Sequence, residues 1–424
     1  SEQLLRFDPT QSGWDWDVAQ IRACDISDNV VELMAGKILK LPAPTQAVLK
    51  LAACIGNRFS LHTLTIVYEH NPKQTLEEVW EAMHSGFILP LSDAYKRERL
   101  DMTAHADPTQ VLWKFAHDRI QQAVYSLIPD AAKQDVHYRI GQLLLASIPA
   151  SERGAEIFAI VDQLNVAIAR IPEAERPTLA RLNLDAGCKA KNSAAYGPAY
   201  NYLATGIDLL GAAAWQTDYA LCLALHDEIT EAAFLRGDFP RMQCWSEAVL
   251  QQAHTLLDKL SVYELRIQGF MARNQQIEAV RSALEVLKLL GVSFPNKPTL
   301  LDTGLELART RVVLLGRSSA SILALPRMTD PQQLAIMRIL ASIWSAAYQA
   351  VPPLMPLLVF KMVRMSIRHG NCPQSVLCYA WYGLLLCGVV GDIPTGYRFG
   401  ELALKLLDHF EARQLRARLF FVVN

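Results

Sequence analysis

The sequence predicts an all-α chain in which a small module carrying a short β-wing precedes a degenerate array of helical hairpins. Three observations lead there. Beyond Pro129 almost every segment repeats its apolar residues at helical period, broken by glycine and proline into stretches of roughly 12 to 20 residues. Extended runs cluster before that point, where two of them flank a polar tip. A similar junction recurs along the second half. The composition agrees: of 424 residues 51% are hydrophobic and 20% charged, below the roughly 25% of ordinary domains, which excludes intrinsic disorder. At roughly 150 residues per domain, this length suggests about three domains or one long repeat array.

Residues 1–36 hold two tryptophans and an acidic stretch, WDWDVAQIRACDISDNVVELM, and read as a lead-in to a helix. From 37 to 129 the order is helix (TQAVLKLAACIG), a break at Asn57, helix (SLHTLTIVYEH) and helix (TLEEVWEAMHSG). An extended run FILPLS, a polar tip, a second extended run VLWKFAHD and the helix RIQQAVYSLI follow. Three short helices and then two strands with a polar tip is the order of a winged-helix domain. Residues 130–424 read as helical repeats. In AEIFAIVDQLNVAIARI the apolar residues Ile157, Val161, Leu164, Ile168 and Ile171 are spaced 4, 3, 4, 3, one stripe of a single helix.

The recurring junction is a short turn, an apolar or aromatic residue at +2, and smaller ones at +5 and +12. It begins at Ala194 (Tyr196, Ala199, Gly206), Gly237 (Phe239, Met242, Val249), Asn274 (Gln276, Ala279, Val286) and Gly391 (Ile393, Gly396, Ala403). GDFPRM and GDIPTG resemble the turn of tetratricopeptide repeats, where small residues let two helices approach closely. The stretch from about 295 to 373 does not fit this frame.

Several chemistries are missing from the sequence. There is no P-loop; the nearest string, GCKAKNS at Gly187 to Ser193, lacks the second glycine that wraps a phosphate. No Cys/His set has zinc spacing, and Cys372, Cys378 and Cys387 are too unevenly spaced to share a helix face. His117-Asp118 and His226-Asp227, with His84 and Asp162 as further ligands, are what the sequence offers a His-Asp metal phosphohydrolase. The net charge of −1 restricts any nucleic-acid role to a local patch. The helix that would enter a major groove carries Glu77, Glu78 and Glu81, and in the wing tip Glu98 and Asp101 interleave with Lys96, Arg97 and Arg99, so neither suits DNA. Eight cysteines without a C-x-x-C pair fit a reducing, cytoplasmic setting. The apolar run Val376–Val390 is shorter than the about 20 residues of a spanning helix and reads as a core helix, and the N-terminus has no signal-peptide pattern. The chain stops inside a helical pattern, leaving Leu415, Leu419 and Phe420 as an open apolar stripe, as in a piece of a larger protein.

The strings WDWDVAQI, DNVVELMAGKILKLPAPTQAVLKLAACIGNRFSL, FAHDRIQQAVYSLIP, LHDEITEAAFLRGDF, ALEVLKLLGVSFP and GYRFGELALKLLD resemble the central region of large bacterial hybrid kinases best known from cyanobacteria. In that family a Ser/Thr-kinase-like domain and a STAND-class P-loop ATPase precede a winged-helix and helical-repeat region, and a GAF domain and a histidine kinase often follow. The resemblance implies that this segment is not itself an enzyme and holds no cofactor. ADP or ATP would bind the parent protein, and the partners would be the upstream ATPase and kinase domains and an unknown protein or small-molecule inducer, with no nucleic acid and no membrane insertion. It implies one site: His117 in FAHDR resembles the histidine at the end of a winged-helix strand that touches the phosphates of bound ADP, and Arg119 would supply charge beside it. The alternative reading of these residues is that Asp118 merely caps the following helix. The whole segment would relay inducer binding to a nucleotide switch.

Overall fold

A computed structural model describes residues 5–8, 13–16, 30–91, 111–412 and 415–423. The chain is all-α apart from strands near its N-terminus, and it divides into two compact units, Ser1–Ala186 and Gly187–Asn424.

The first unit begins with an antiparallel pair, β1 (Leu5–Asp8) and β2 (Gly13–Trp16), within residues that the sequence reads only as a lead-in. Helices α1 (Val30–Ile38) and α2 (Ala43–Ile55) follow, with proline in the first turn of α2, where no intrahelical N–H is missed. Strand β3 (Arg58–Ser60) then occupies what the sequence reads as a mere break. Ser60 caps α3 (Leu61–Tyr68), accepting from the Thr63 N–H at 3.0 Å. Asn71 caps α4 (Pro72–His84), accepting from the Gln74 N–H at 2.8 Å. Strands β4 (Ile88–Pro90) and β5 (Leu112–Phe115) complete an antiparallel sheet in the order β3-β5-β4. Register sets Arg58 opposite Lys114 and Phe59 opposite Trp113. Strand alternation therefore turns Phe59, Trp113 and Phe115 into the core with Val48, Leu64 and Val79, and leaves Arg58 and Lys114 on the outer face.

Helices α5 (Asp118–Ser126), α6 (Asp130–Ser147) and α7 (Arg153–Val166) belong to the same unit. A buried polar chain ties them in: Tyr125 donates to His137 Nε2 (3.0 Å), His137 Nδ1–H to Gln163 Oε1 (2.7 Å), and Gln163 Nε2 to the Cys54 carbonyl (2.8 Å). The division between units lies at 186/187, inside α8 (Arg176–Asn192). The single stripe expected through Ile171 is corrected. Helix α7 ends at Val166 and the chain tightens into a 3-10 turn over Ile168–Arg170, which still delivers Ile171 to the interior.

The second unit contains helical hairpins. Helices α8 and α9 (Tyr196–Leu210), α10 (Tyr219–Leu235) and α11 (Phe239–Gln252), and α12 (Leu260–Ala272) and α13 (Gln276–Leu289) pair across short turns. At each turn the first residue of the recurring frame is left-handed: Ala194 (φ 59°), Gly237 (φ 75°) and Asn274 (φ 60°). The residue after it donates back five positions, Ala195 to Ala190, Asp238 to Ala233 and Gln275 to Phe270, each at 2.9 Å, which closes the helix end in a Schellman motif. The +5 and +12 positions Ala199, Met242, Val249, Ala279 and Val286 are all buried.

The region outside the frame is helical too: α14 (Leu300–Leu314), α15 (Pro331–Ser342), α16 (Trp344–Ala350) and α17 (Met355–His369). The frame returns with α18 (Pro373–Leu385) and α19 (Ile393–His409). Here a π turn over Leu386–Val390 inserts a residue, so Asp392 donates six positions back, to Leu386 (2.9 Å). Pro373–Val390 is long and apolar enough to cross a membrane by length and composition, yet 61% of it is buried among the other helices of the unit. Tyr379, Tyr382 and Trp381 lie in its core, with Trp381 stacked 4.6 Å from Trp344. In α20 (Arg416–Val423) the expected open stripe is corrected in part: Leu419 is fully buried and Leu415 half-buried, while Phe420 is exposed as expected.

Candidate functional site

The N-terminus of α5 gathers the groups singled out in the sequence. His117 lies in extended backbone directly after β5 and is the N-cap of α5, its ring Nδ1 accepting the Arg119 N–H at 3.1 Å. This corrects the expectation that Asp118 caps the helix. Asp118 is instead its first residue, and its Oδ1 accepts from Asn57 Nδ2 at 2.9 Å, fastening the helix start to the turn before β3. Because Nδ1 must be unprotonated to accept, the neutral ring carries its proton on Nε2, which has no acceptor among the described residues. His117 and Arg119 are both exposed, and the Arg119 guanidinium donates to Gln122 Oε1 at 3.1 Å.

Two further cations join this end of the sheet. Lys114 lies three residues before His117 on the outer face of β5, and Arg58 pairs with it in register from β3. Asn57, next to Arg58, holds Asp118. The edge thus presents Arg58, Lys114, Arg119 and an imidazole N–H, with Asp118 the carboxylate among them and already hydrogen-bonded. A helix N-terminus adds its own partial positive charge. Such an edge can receive an oxyanion such as a phosphate. Arg58 and Lys114 were not read from the sequence because their proximity depends on strand pairing between residues far apart in the chain. The alternation R-F-S and W-K-F was the available signal.

The remaining sequence candidates are dispersed. GCKAKNS lies in α8 and the turn after it, where helical hydrogen bonds occupy the backbone a phosphate loop would need. His84 ends α4 with its ring 4.8 Å from Trp80, Asp162 lies on the exposed side of α7, and His226 is buried between Trp215 and Trp245 with its Nδ1–H donating to the Cys222 carbonyl at 2.7 Å. Among the described residues no three His, Cys, Asp or Glu side chains converge as metal ligands. Glu77 and Glu81 are exposed on α4, the wrong sign for a groove-reading helix, and the wing-tip residues Lys96 to Asp101 lie outside the described residues. Cys54 and Cys222 are buried thiols pushed up to about 12 and about 11 by desolvation, which keeps them unreactive.

In the second unit the first helices of successive hairpins are joined by polar contacts. Lys191 of α8 lies between Glu228 (2.6 Å) and Glu231 of α10. Tyr219 of α10 donates to Asp258 (2.7 Å), just before α12, and Glu264 of α12 accepts from Arg338 Nε of α15 (2.9 Å). Burial pushes the Asp227 carboxyl up to about 6, opposed by a hydrogen bond from Ser261 and reinforced by Glu228 and Asp258.

No family model matches the chain. A hybrid signal transduction histidine kinase of Dictyostelium discoideum is 24% identical over 473 aligned residues, covering 96% of this chain and 14% of that protein. The chain therefore spans about one seventh of that relative's length, a weak homology to one segment of a hybrid kinase. The crystal structure of a Signal Transduction ATPase with Numerous Domains from Pyrococcus horikoshii, with a tetratricopeptide repeat sensor, superposes with a TM-score of 0.37 and 12% identity, over 93% of this chain and 53% of that one.

Proposed function

We propose that this chain is the regulatory segment of a larger cytoplasmic signalling protein, a non-enzymatic scaffold that senses a partner or inducer and relays it to a nucleotide switch. Residues 37–129 are a winged-helix module in this reading, with 1–36 leading in from an ATPase, and residues 130–424 are the repeat region that meets the inducer. The similarity to one segment of a hybrid histidine kinase supports a signalling role. The upstream ATPase and a Ser/Thr or histidine kinase of the same polypeptide are the partners, and ADP or ATP is the parent's ligand.

One observation carries the nucleotide contact. His117 caps α5 through Nδ1 and is exposed, which leaves Nε2–H without an acceptor among the described residues. That N–H can donate to a phosphate of ADP held by the ATPase without giving up the cap. The test is the ADP off-rate of the full-length parent carrying His117→Ala or His117→Asn. A lost hydrogen bond to a charged group is worth roughly 1.5–3 kcal/mol, so ADP release should accelerate about 10- to 150-fold. Asn keeps an N-cap acceptor but not the imidazole reach, so both variants accelerate release if the phosphate contact is real, and neither does if His117 is only a cap. An unchanged off-rate in both folded variants sinks the sensor role.

A further inference from the structure

A cavity of about 380 Å³ opens in the second unit, walled by the 293–295 turn, α14 and α17. Its size falls within the roughly 300–1,000 Å³ of small-molecule sites. Phe294, Pro295 and Leu357 give it an apolar side. The rest of the lining is mostly charged, and its carboxylates are already engaged. Asp302 accepts from the Thr299 backbone N–H (2.8 Å) and hydroxyl (2.7 Å) in the capping box that starts α14. Glu306 is held by Arg309 (2.6 Å) and by Arg364, which also donates to Thr310 (2.9 Å) and the Glu306 carbonyl (3.2 Å).

Lys361 is left over. It lines the cavity half-buried, one turn before Arg364 on α17, and has no carboxylate partner among the described residues. The lining holds three cations, Lys361, Arg364 and Arg309, against two carboxylates, and Arg368 lies a further turn along the same helix. A partly desolvated ammonium ion is costly to leave unpaired. Desolvation, with Arg364 and Arg368 beside it, pulls the Lys361 ammonium below the usual lysine range, against the pull of Glu306.

We propose that this cavity binds a small amphiphilic organic anion, its carboxylate or phosphate head at Lys361 and Arg364 and its aryl or short acyl body against Phe294 and Leu357. The inference concerns binding by this chain alone and does not depend on the switch described above. Calorimetric titration of the 424-residue chain with phenyl phosphate, benzoate and inorganic phosphate tests it and separates the two head groups. At least one of the two organic anions should bind saturably below 10 mM, at least tenfold tighter than inorganic phosphate, and Lys361→Gln should weaken it at least tenfold while Lys361→Arg retains it. Reductive methylation of wild-type Lys361, read by mass spectrometry, needs no variant and should slow at least fivefold when the organic anion is present. Failure of both organic anions to bind, equal binding of inorganic phosphate, unchanged affinity in Lys361→Gln, or methylation indifferent to the anion each overturns the proposal.

Discussion

Histidine is an unusual N-cap, because Ser, Thr, Asp and Asn carry the acceptor on a shorter side chain. At His117 an Asn would satisfy the Arg119 N–H equally well. Urea unfolding should therefore show His117→Ala destabilised by about 0.5–2 kcal/mol and His117→Asn nearly unchanged. Asp118→Ala, which loses the bond from Asn57 but not the cap, should cost about 0.5–1.5 kcal/mol. Asp227 gives a pH-dependent counterpart. Its folded pKa of about 6 lies above the unfolded value near 3.8, so the folded state binds the extra proton between these values and stability falls as pH rises from about 4 to 6. Two pH units at about 1.4 kcal/mol each set an upper bound of roughly 3 kcal/mol. Buried His226, whose pKa is lowered by desolvation, acts with the opposite sign as pH falls below its usual value, so wild type alone shows a compensated profile. Asp227→Asn removes only the first contribution. It should be more stable than wild type at pH 7.5 and not at pH 4, and equal stability at both would show that the carboxylate is hydrated.

Among elements, the hairpin turn is where local sequence dictates most. A left-handed residue costs little as Gly or Asn, and those types stand at Gly237, Asn274 and Gly391; Ala194 holds the same conformation without that help. Close packing is equally specific between α18 and α19. A Cβ at Gly396 would lie 2.3 Å from Cys387 Sγ and 2.7 Å from the Gly383 carbonyl, and neither the backbone nor the π turn has room to yield. Gly396→Ala should lower stability by about 1–3 kcal/mol in urea unfolding. Gly388→Ala, with nothing within 4 Å of the new methyl, should be neutral or stabilising by up to about 1 kcal/mol. Equal effects of the two would mean that α18 and α19 are held apart. The buried positions of the hairpins were legible because small residues recur at +5 in three of four frames. The π turn was not, since nothing in LCGVV distinguishes a helix that closes six residues back from one that closes five.

For the whole molecule, the proposed nucleotide contact is the exposed His117 imidazole, and the sequence has no P-loop to add to it. One side-chain contact cannot supply the roughly −7 kcal/mol of a 10 μM complex, so calorimetry with ADP should find the isolated chain weaker than about 10 μM. Tighter binding would place the nucleotide site within these residues and contradict the proposed dependence on an ATPase. The apolar helix α18 belongs to this scale as well. Its composition permits a membrane span, and its burial against α17 and α19 is what makes it the centre of a core.

Periodicity, turn chemistry and composition are local properties, so the sequence by itself determined the helical class, the positions of most helices, the four hairpin junctions and the strand–histidine–helix order at residues 112–126. Only the tertiary structure decided which distant residues meet. Strand β3, three residues long, exists because β5 supplies its hydrogen bonds, and with it Arg58 arrives opposite Lys114. His137 becomes the link between Tyr125 and Gln163, and through Gln163 the Cys54 carbonyl draws α7 into the first unit. Lys361 is left unpaired because Glu306, at helical reach of Arg309, is also taken by Arg364 from another helix. These pairings depend on contacts across tens of residues, where chain order carries no distance information and the competition among partners is settled by packing.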